Sequence, residues 1–253
     1  MIARAAGDWR LTLRPDLGGA VAGLTHRGEP VLRPTPDDAQ DVLRTACFPL
    51  APYANRIAGA AFDWRGRRVR LLATTGFEPH AIHGVGWRAP WTVQAEGSDG
   101  ITLGLHHAGD DDWPWAFTAR QTFALDETGL SIELSMTNLA EDAAPAGLGL
   151  HPYFVRRPET RLRMTAPRVW LSDPALIPER LTEAAQLVDW SPGPRLADAP
   201  PIDHAYADWD GRAELIEPDR LVRLTASPNA AWVHGFTPAG EDYICVEPVT
   251  HRP

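Results

Sequence analysis

Hydrophobic positions in this chain recur mainly with a period of two. Leu11 and Leu13 alternate with polar neighbours, as do Val69 and Leu71 after Arg65-Gly66; this is the spacing of strands with one buried face. Trp91, Val93 and Ala95 are set to face Ile101, Leu103 and Leu105 across Glu96-Gly97-Ser98-Asp99-Gly100, a hairpin with a five-residue loop. A second hairpin joins Phe117–Leu125 to Leu130–Met136 through Asp126-Glu127-Thr128-Gly129. Later strands are predicted at Arg161–Thr165, Val169–Leu171, Ala213–Ile216, Leu221–Thr225, Ala231–Phe236 and Tyr243–Val246. Helical spacing is confined to Pro36–Arg44, after a Thr35 cap, and to Glu183–Val188. Short strands broken by frequent turn signals predict an all-β fold, an antiparallel sandwich or barrel. The 24 prolines are assigned to edges and loops, because Pro cannot donate to a central ladder.

Composition narrows the function classes. At 253 residues, with no linker, charge block, repeat or low-complexity tract, the chain is read as one β-sandwich domain over 1–253. The N-terminal segment reaches a polar strand before any long apolar stretch, so it is read as mature chain rather than a signal peptide. No run approaches the roughly 20 apolar residues of a membrane span. Cys47 and Cys245 are the two cysteines, too few for a disulfide framework and suited to a reducing cytoplasm. A net charge of −9 without a basic tail argues against nucleic acid as a partner. All 24 basic residues are Arg, which excludes lysine Schiff bases and the phosphate-loop lysine. The expectation is a cytoplasmic protein, monomer or homodimer, acting on a small molecule.

Against this apolar background stands a scattered polar set: Asn55-Arg56, His83, His151, Asp203 and Glu247. An ionisable group buried unpaired in a strand is costly, so each of these needs a partner, solvent or a ligand. Glu247 precedes Pro248, which holds it extended and predicts a strand end at the rim of a cleft. His151 follows the small-residue stretch Ala146-Gly147-Leu148-Gly149, where another backbone or a ligand can approach closely. Each string alone also fits a structural role: an edge glutamate, a satisfied core histidine, a loop histidine, a surface ion pair, a turn aspartate. Together they supply a cation, two imidazoles and two carboxylates, equipment for moving protons on a polyhydroxylated substrate. His80-x-x-His83 and His106-His107 supply imidazoles that could serve as metal ligands. Adjacent strand residues face opposite sides and no established metal spacing is present, so no metal and no cofactor are expected.

In order along the chain, Ala54-Asn55-Arg56-Ile57-x-Gly59, Ile82-His83-Gly84, His151-Pro152-Tyr153-Phe154, Asp203 and Val246-Glu247-Pro248 resemble the aldose 1-epimerase (galactose mutarotase) family. The similarity runs from about residue 10 to the end. The resemblance implies an antiparallel β-supersandwich with a sugar cleft on a concave face. It assigns His151 as general acid at the sugar ring oxygen and Glu247 as general base at the anomeric hydroxyl. His83 assists at the ring oxygen, while Arg56 and Asp203, with Asn55 and Tyr153 nearby, hold sugar hydroxyls; Arg56, His83, His151, Asp203 and Glu247 are expected to line one cleft. Two departures stand out: Pro152 occupies a position where many members carry Ser, and relatives continue beyond the point where this chain stops, so a closing strand is expected to be truncated.

The implied chemistry is ring opening of a hemiacetal. A carboxyl with a reference pKa of about 4.3 is ionised at neutral pH, and an imidazole near about 6.5 is partly protonated. Each group, once positioned, is worth typically 10²–10⁴-fold. Rotation of the opened aldehyde and reclosure then yield the other anomer, with no cofactor. Other readings are an epimerase of phosphorylated or sulfonated sugars, with Arg65, Arg67, Arg68, Arg70 and Arg88 as anion binders, and a noncatalytic carbohydrate-binding sandwich using some of the ten Trp residues. A two-carboxylate glycosidase, with Asp203 facing Glu247, is the remaining one.

Overall fold

A computed structural model describes residues 1–98 and 100–252. The chain divides into two compact units, Met1–Gly149 and Leu150–Pro253. Among the described residues no helix is long and apolar enough to cross a membrane.

In the first unit, β1 (Ile2–Ala6), β2 (Trp9–Arg14), β3 (Ala20–His26), β4 (Glu29–Pro30) and β5 (Cys47–Leu50) build one antiparallel sheet, with β4 beside β3. Two short pairs follow. β6 (Arg56–Ile57) pairs with β9 (Ala81–Ile82), and β7 (Ala61–Trp64) pairs with β8 (Arg67–Arg70). A meander of β10 (Thr92–Gly97), β11 (Gly100–His107), β12 (Phe117–Asp126) and β13 (Gly129–Asn138) completes the unit. The period-two pattern fills its core: Leu11 and Leu13 from β2, Ile101 and Leu103 from β11, and Phe117 and Phe123 from β12 are buried. The Gln121 side-chain amide in β12 donates to the Gly19 carbonyl ahead of β3 at 3.1 Å, a polar tie within that core.

The second unit carries the sheet that positions the site. β14 (Gly149–Val155) neighbours β22 (Tyr243–Val249), followed by β21 (Trp232–Thr237), β18 (Ile202–Ala207), β16 (Arg168–Ser172) and β17 (Pro178–Glu183). β15 (Arg161–Met164), β19 (Arg212–Ile216) and β20 (Leu221–Thr225) form a second, three-stranded sheet. Trp190 and Tyr206 are fully buried in this unit, and the indole N–H donates to the Tyr206 hydroxyl at 2.9 Å. Burial pushes the Tyr206 phenol up to about 12. The expected all-β antiparallel class is what the chain adopts.

Four local expectations are corrected. Pro36–Arg44 and Glu183–Val188 are not helices but contain single 3₁₀ turns, Val42–Arg44 and Ala184–Gln186. The Asp41 side chain accepts from the Leu43 N–H at 2.9 Å, so the cap sits late in the first segment and one turn is all that fits before the strand at Cys47. The loop expected over Glu96–Gly100 is shorter, because Gly97 pairs with Gly100; Asp99 lies outside the described residues. Val93 pairs with Leu103 as expected, but a register shift after it sets Ala95 opposite Thr102 instead of Ile101, and β10 is an exposed edge strand. Finally, Pro152 and Pro248 lie inside β14 and β22. A proline's fixed φ suits an extended chain even though its nitrogen donates nothing, so the strand passes through Pro248 to Val249 and Glu247 is interior rather than terminal.

Candidate active site

Because side chains on a strand alternate between faces, the register of the second unit's sheet decides which residues meet. Phe236 opposes Cys245, His234 opposes Glu247 and Trp232 opposes Val249 between β21 and β22. Ala205 opposes His234 and Asp203 opposes Phe236 between β18 and β21. Asp203, His234, Cys245 and Glu247 therefore share one face.

His151 of β14 reaches the same place. Its Nε2 lies 3.4 Å from Glu247 Oε1, and both residues are buried, 7 % and 3 % exposed. Such a carboxylate requires a partner of this kind, since removal from water without compensation is expensive. The His151 ring stacks on Tyr153 with centroids 4.7 Å apart at 20°. Tyr153 meets Tyr243 edge-on at 5.1 Å, and Tyr243 in turn lies 6.4 Å from Phe236. The His151 ring thus rests against a wall of aromatic rings.

Asp203 is held differently. His234 Nε2 lies 2.7 Å from Asp203 Oδ1, which orients the carboxylate and stabilises its charge. The neighbouring His204, on the opposite face, has a ring nitrogen 3.3 Å from the Ser172 hydroxyl. Burial holds its imidazole below the ordinary value, opposed by the Asp203 charge and reinforced by His234.

The first unit assembles Asn55, Arg56 and His83. The His83 N–H donates to the Asn55 carbonyl at 2.9 Å, and the Asn55 N–H donates to His83 Nδ1 at 3.0 Å. A ring nitrogen that accepts from a backbone amide carries no proton, so a neutral His83 keeps its N–H on Nε2. Arg56 Nη1 donates to Asn55 Oδ1 at 3.0 Å, and Phe48 and Trp87 set their rings edge-on to His83 at 6.1 and 5.8 Å. Asn55 and His83 both have left-handed backbone, φ 57° and 61°, unusual for residues with a side chain. Gly84 follows at φ 70°, where a Cβ would stand 2.3 Å from the Ala51 carbonyl oxygen. Backbone held in sparsely populated regions clusters at functional sites.

Sequence reasoning overlooked His234 and Cys245. Both carried a readable signal: His234 is one more ionisable residue among apolar strand residues, and Cys245 is two positions from Glu247, hence on its face. The histidines weighed for metal are engaged elsewhere. His80 Nδ1 accepts from the Gly59 N–H at 3.1 Å and His107 Nε2 lies 2.7 Å from the Trp113 carbonyl oxygen. Two of the arginines read as anion binders have acidic partners. Arg67, Arg68 and Arg70 are exposed on β8, where Arg68 meets Asp63 at 3.1 Å, and Arg88 meets Asp112 at 3.1 Å.

Residues 12–253 match the family described as aldose 1-epimerase. The uncharacterized Escherichia coli K12 protein YphB is 29 % identical over 251 residues, 94 % of this chain and 84 % of that protein. A solved structure of a candidate aldose 1-epimerase from E. coli K12 superposes with a TM-score of 0.90 at 28 % identity, over 99 % of this chain and 88 % of that one. Galactose 1-epimerase from Lactobacillus acidophilus NCFM shares the fold, with a TM-score of 0.81 at 17 % identity over 98 % of this chain and 85 % of that one. The chain belongs to the aldose 1-epimerase family.

Proposed function

We propose that this protein interconverts the α and β anomers of a free aldose by acid–base opening and reclosure of the sugar ring. The observation that carries the reading is the buried contact between His151 Nε2 and Glu247 Oε1. The ring oxygen and the anomeric hydroxyl share one carbon, so an acid serving the first and a base serving the second must be close neighbours. Glu247 takes the anomeric proton as His151 gives one to the ring oxygen, the C1–O bond to the ring breaks, and an aldehyde forms. After rotation about the bond to C1, the same two groups return their protons in reverse. Holding both in place removes the cost of assembling them from solution.

Asp203, steadied by His234, accepts from sugar hydroxyls, and Tyr153 supports the His151 ring while offering its hydroxyl. Within the first unit, the Nε2 proton of His83 and the Arg56–Asn55 pair supply further hydrogen-bonding groups of the kind that hold sugar hydroxyls. A noncatalytic carbohydrate module needs aromatic and hydrogen-bonding groups but no buried acid–base pair, which favours the enzymatic reading. The test is saturation-transfer NMR of anomer exchange across free aldoses, phosphosugars and sulfosugars. Exchange above the spontaneous rate is expected with at least one free aldose. Binding without accelerated exchange for every sugar points to the noncatalytic module, and acceleration confined to anionic sugars points to the phosphosugar or sulfosugar reading.

A further inference from the structure

The same face of β14 and β22 carries a third reactive group. Cys245 is fully buried, and one donor atom each from His151, Cys245 and Glu247 lie within 4.8 Å of one another. Zinc binds thiolate at about 2.3 Å, imidazole nitrogen at about 2.0–2.1 Å and carboxylate oxygen at about 2.0–2.2 Å, so tetrahedral ligands stand roughly 3.3–3.8 Å apart. The His151–Glu247 separation of 3.4 Å already meets that spacing, and the 4.8 Å limit on all three donor atoms leaves about 1 Å to close.

We infer that His151, Cys245 and Glu247 form an inhibitory site for a thiophilic divalent cation of the zinc type. Charge argues for the divalent state: one thiolate and one carboxylate cancel two positive charges, leaving a neutral complex in a buried place where a net charge is expensive. Ligand softness argues for zinc over magnesium or calcium, since a thiolate and an imidazole suit borderline and soft ions while the hard ions need oxygen shells. Three protein ligands leave a fourth position for water. Binding releases to solvent both the thiol proton and the acidic proton of His151, and ties up the ring nitrogen that carried it together with the carboxylate of Glu247. The cation therefore removes acid and base at once, and the metal-free protein is the active form. The binding claim rests on geometry alone; the inhibition claim rests on the acid–base reading above.

Cobalt(II) serves as a spectroscopic probe of binding independent of activity. Titrated into the wild-type chain, it is expected to give tetrahedral visible bands and a thiolate-to-metal charge-transfer band. The charge-transfer band should vanish in Cys245→Ala and in Cys245→Ser, and persist in Cys47→Ala. In parallel, zinc should suppress anomer exchange by the wild type, with full recovery on chelation. Cys245→Ala should keep its basal exchange and need at least about 10–100-fold more zinc for the same suppression, the scale on which even outer-shell changes weaken metal sites. Absence of a thiolate band in the wild type overturns the site, as does equal zinc sensitivity in wild type and both Cys245 variants. A Cys245-dependent band in a protein that exchanges no sugar upholds the site and overturns the epimerase reading instead.

Discussion

At the scale of the residue, Glu247 and His151 are defined by each other. Glu247→Gln and His151→Asn keep shape and polarity but remove the titrating group. Anomer-exchange kinetics on the best substrate should show kcat reduced by about 10²–10⁴-fold with sugar binding retained. Near-native exchange by Glu247→Gln would mean that the base is another residue, with Asp203 next in line. On the proposed reading His234, 2.7 Å from Asp203 Oδ1, acts through that carboxylate rather than on the sugar. His234→Leu is expected to raise KM by roughly tenfold or more, since a hydrogen bond to a charged group is worth about 1.5–3 kcal/mol, with a smaller change in kcat. In an Asp203→Ala background the same substitution should have almost no further effect, because residues acting as one unit are not additive. Additive losses in that cycle would show that His234 has an independent role.

At the scale of the element, the loop around His83 depends on a single glycine. Gly84 combines φ 70° with an Ala51 carbonyl oxygen 2.3 Å from where a Cβ would be placed. The N–H groups of Val85 and Gly86 donate to that same carbonyl at 3.0 and 2.9 Å, so it cannot retreat without losing both bonds. Gly84→Ala should lower stability by more than about 1 kcal/mol and disturb His83. Urea unfolding measures the first and exchange kinetics the second; an unchanged midpoint and rate would refute both. The second hairpin of the meander shows the opposite case, in which local chemistry is sufficient. Asp126 Oδ1 accepts from the N–H groups of Thr128 and Gly129 at 2.7 and 3.2 Å, and Asp126 pairs with Gly129 in register, so the turn was legible as written.

At the scale of the whole molecule, two half-buried histidines shape the response to acid. His204 and His251 are both held below the ordinary imidazole value, in each case mainly by burial. Below about pH 6.5 the unfolded chain therefore binds more protons than the folded one. Stability should fall as pH drops through that window, until the depressed folded values are passed and no more is lost. A second loss should follow below about pH 4, where Asp16 and Glu214, lowered by hydrogen bonds from Arg14 and Arg163, take up protons. Thermal unfolding followed by circular dichroism from about pH 7.5 to pH 5.5 should show a falling Tm, less steep in His204→Asn. A flat profile over that range would contradict the assignment.

The sequence by itself determined the fold class, most strand positions and the identity of the polar residues worth following. Strand periodicity and turn chemistry are local properties, so Leu221–Thr225 and the Asp126–Gly129 turn could be read without tertiary information. It could not determine that Glu247 lies inside a strand, since a proline's effect on a ladder depends on which neighbour faces its nitrogen. Nor could it show that Asp203 answers to His234 or that His151 meets Cys245 and Glu247. Those facts follow from register between strands far apart in the chain. A shift of one residue would turn each of these side chains to the other face, and only packing of the folded sheet selects the register.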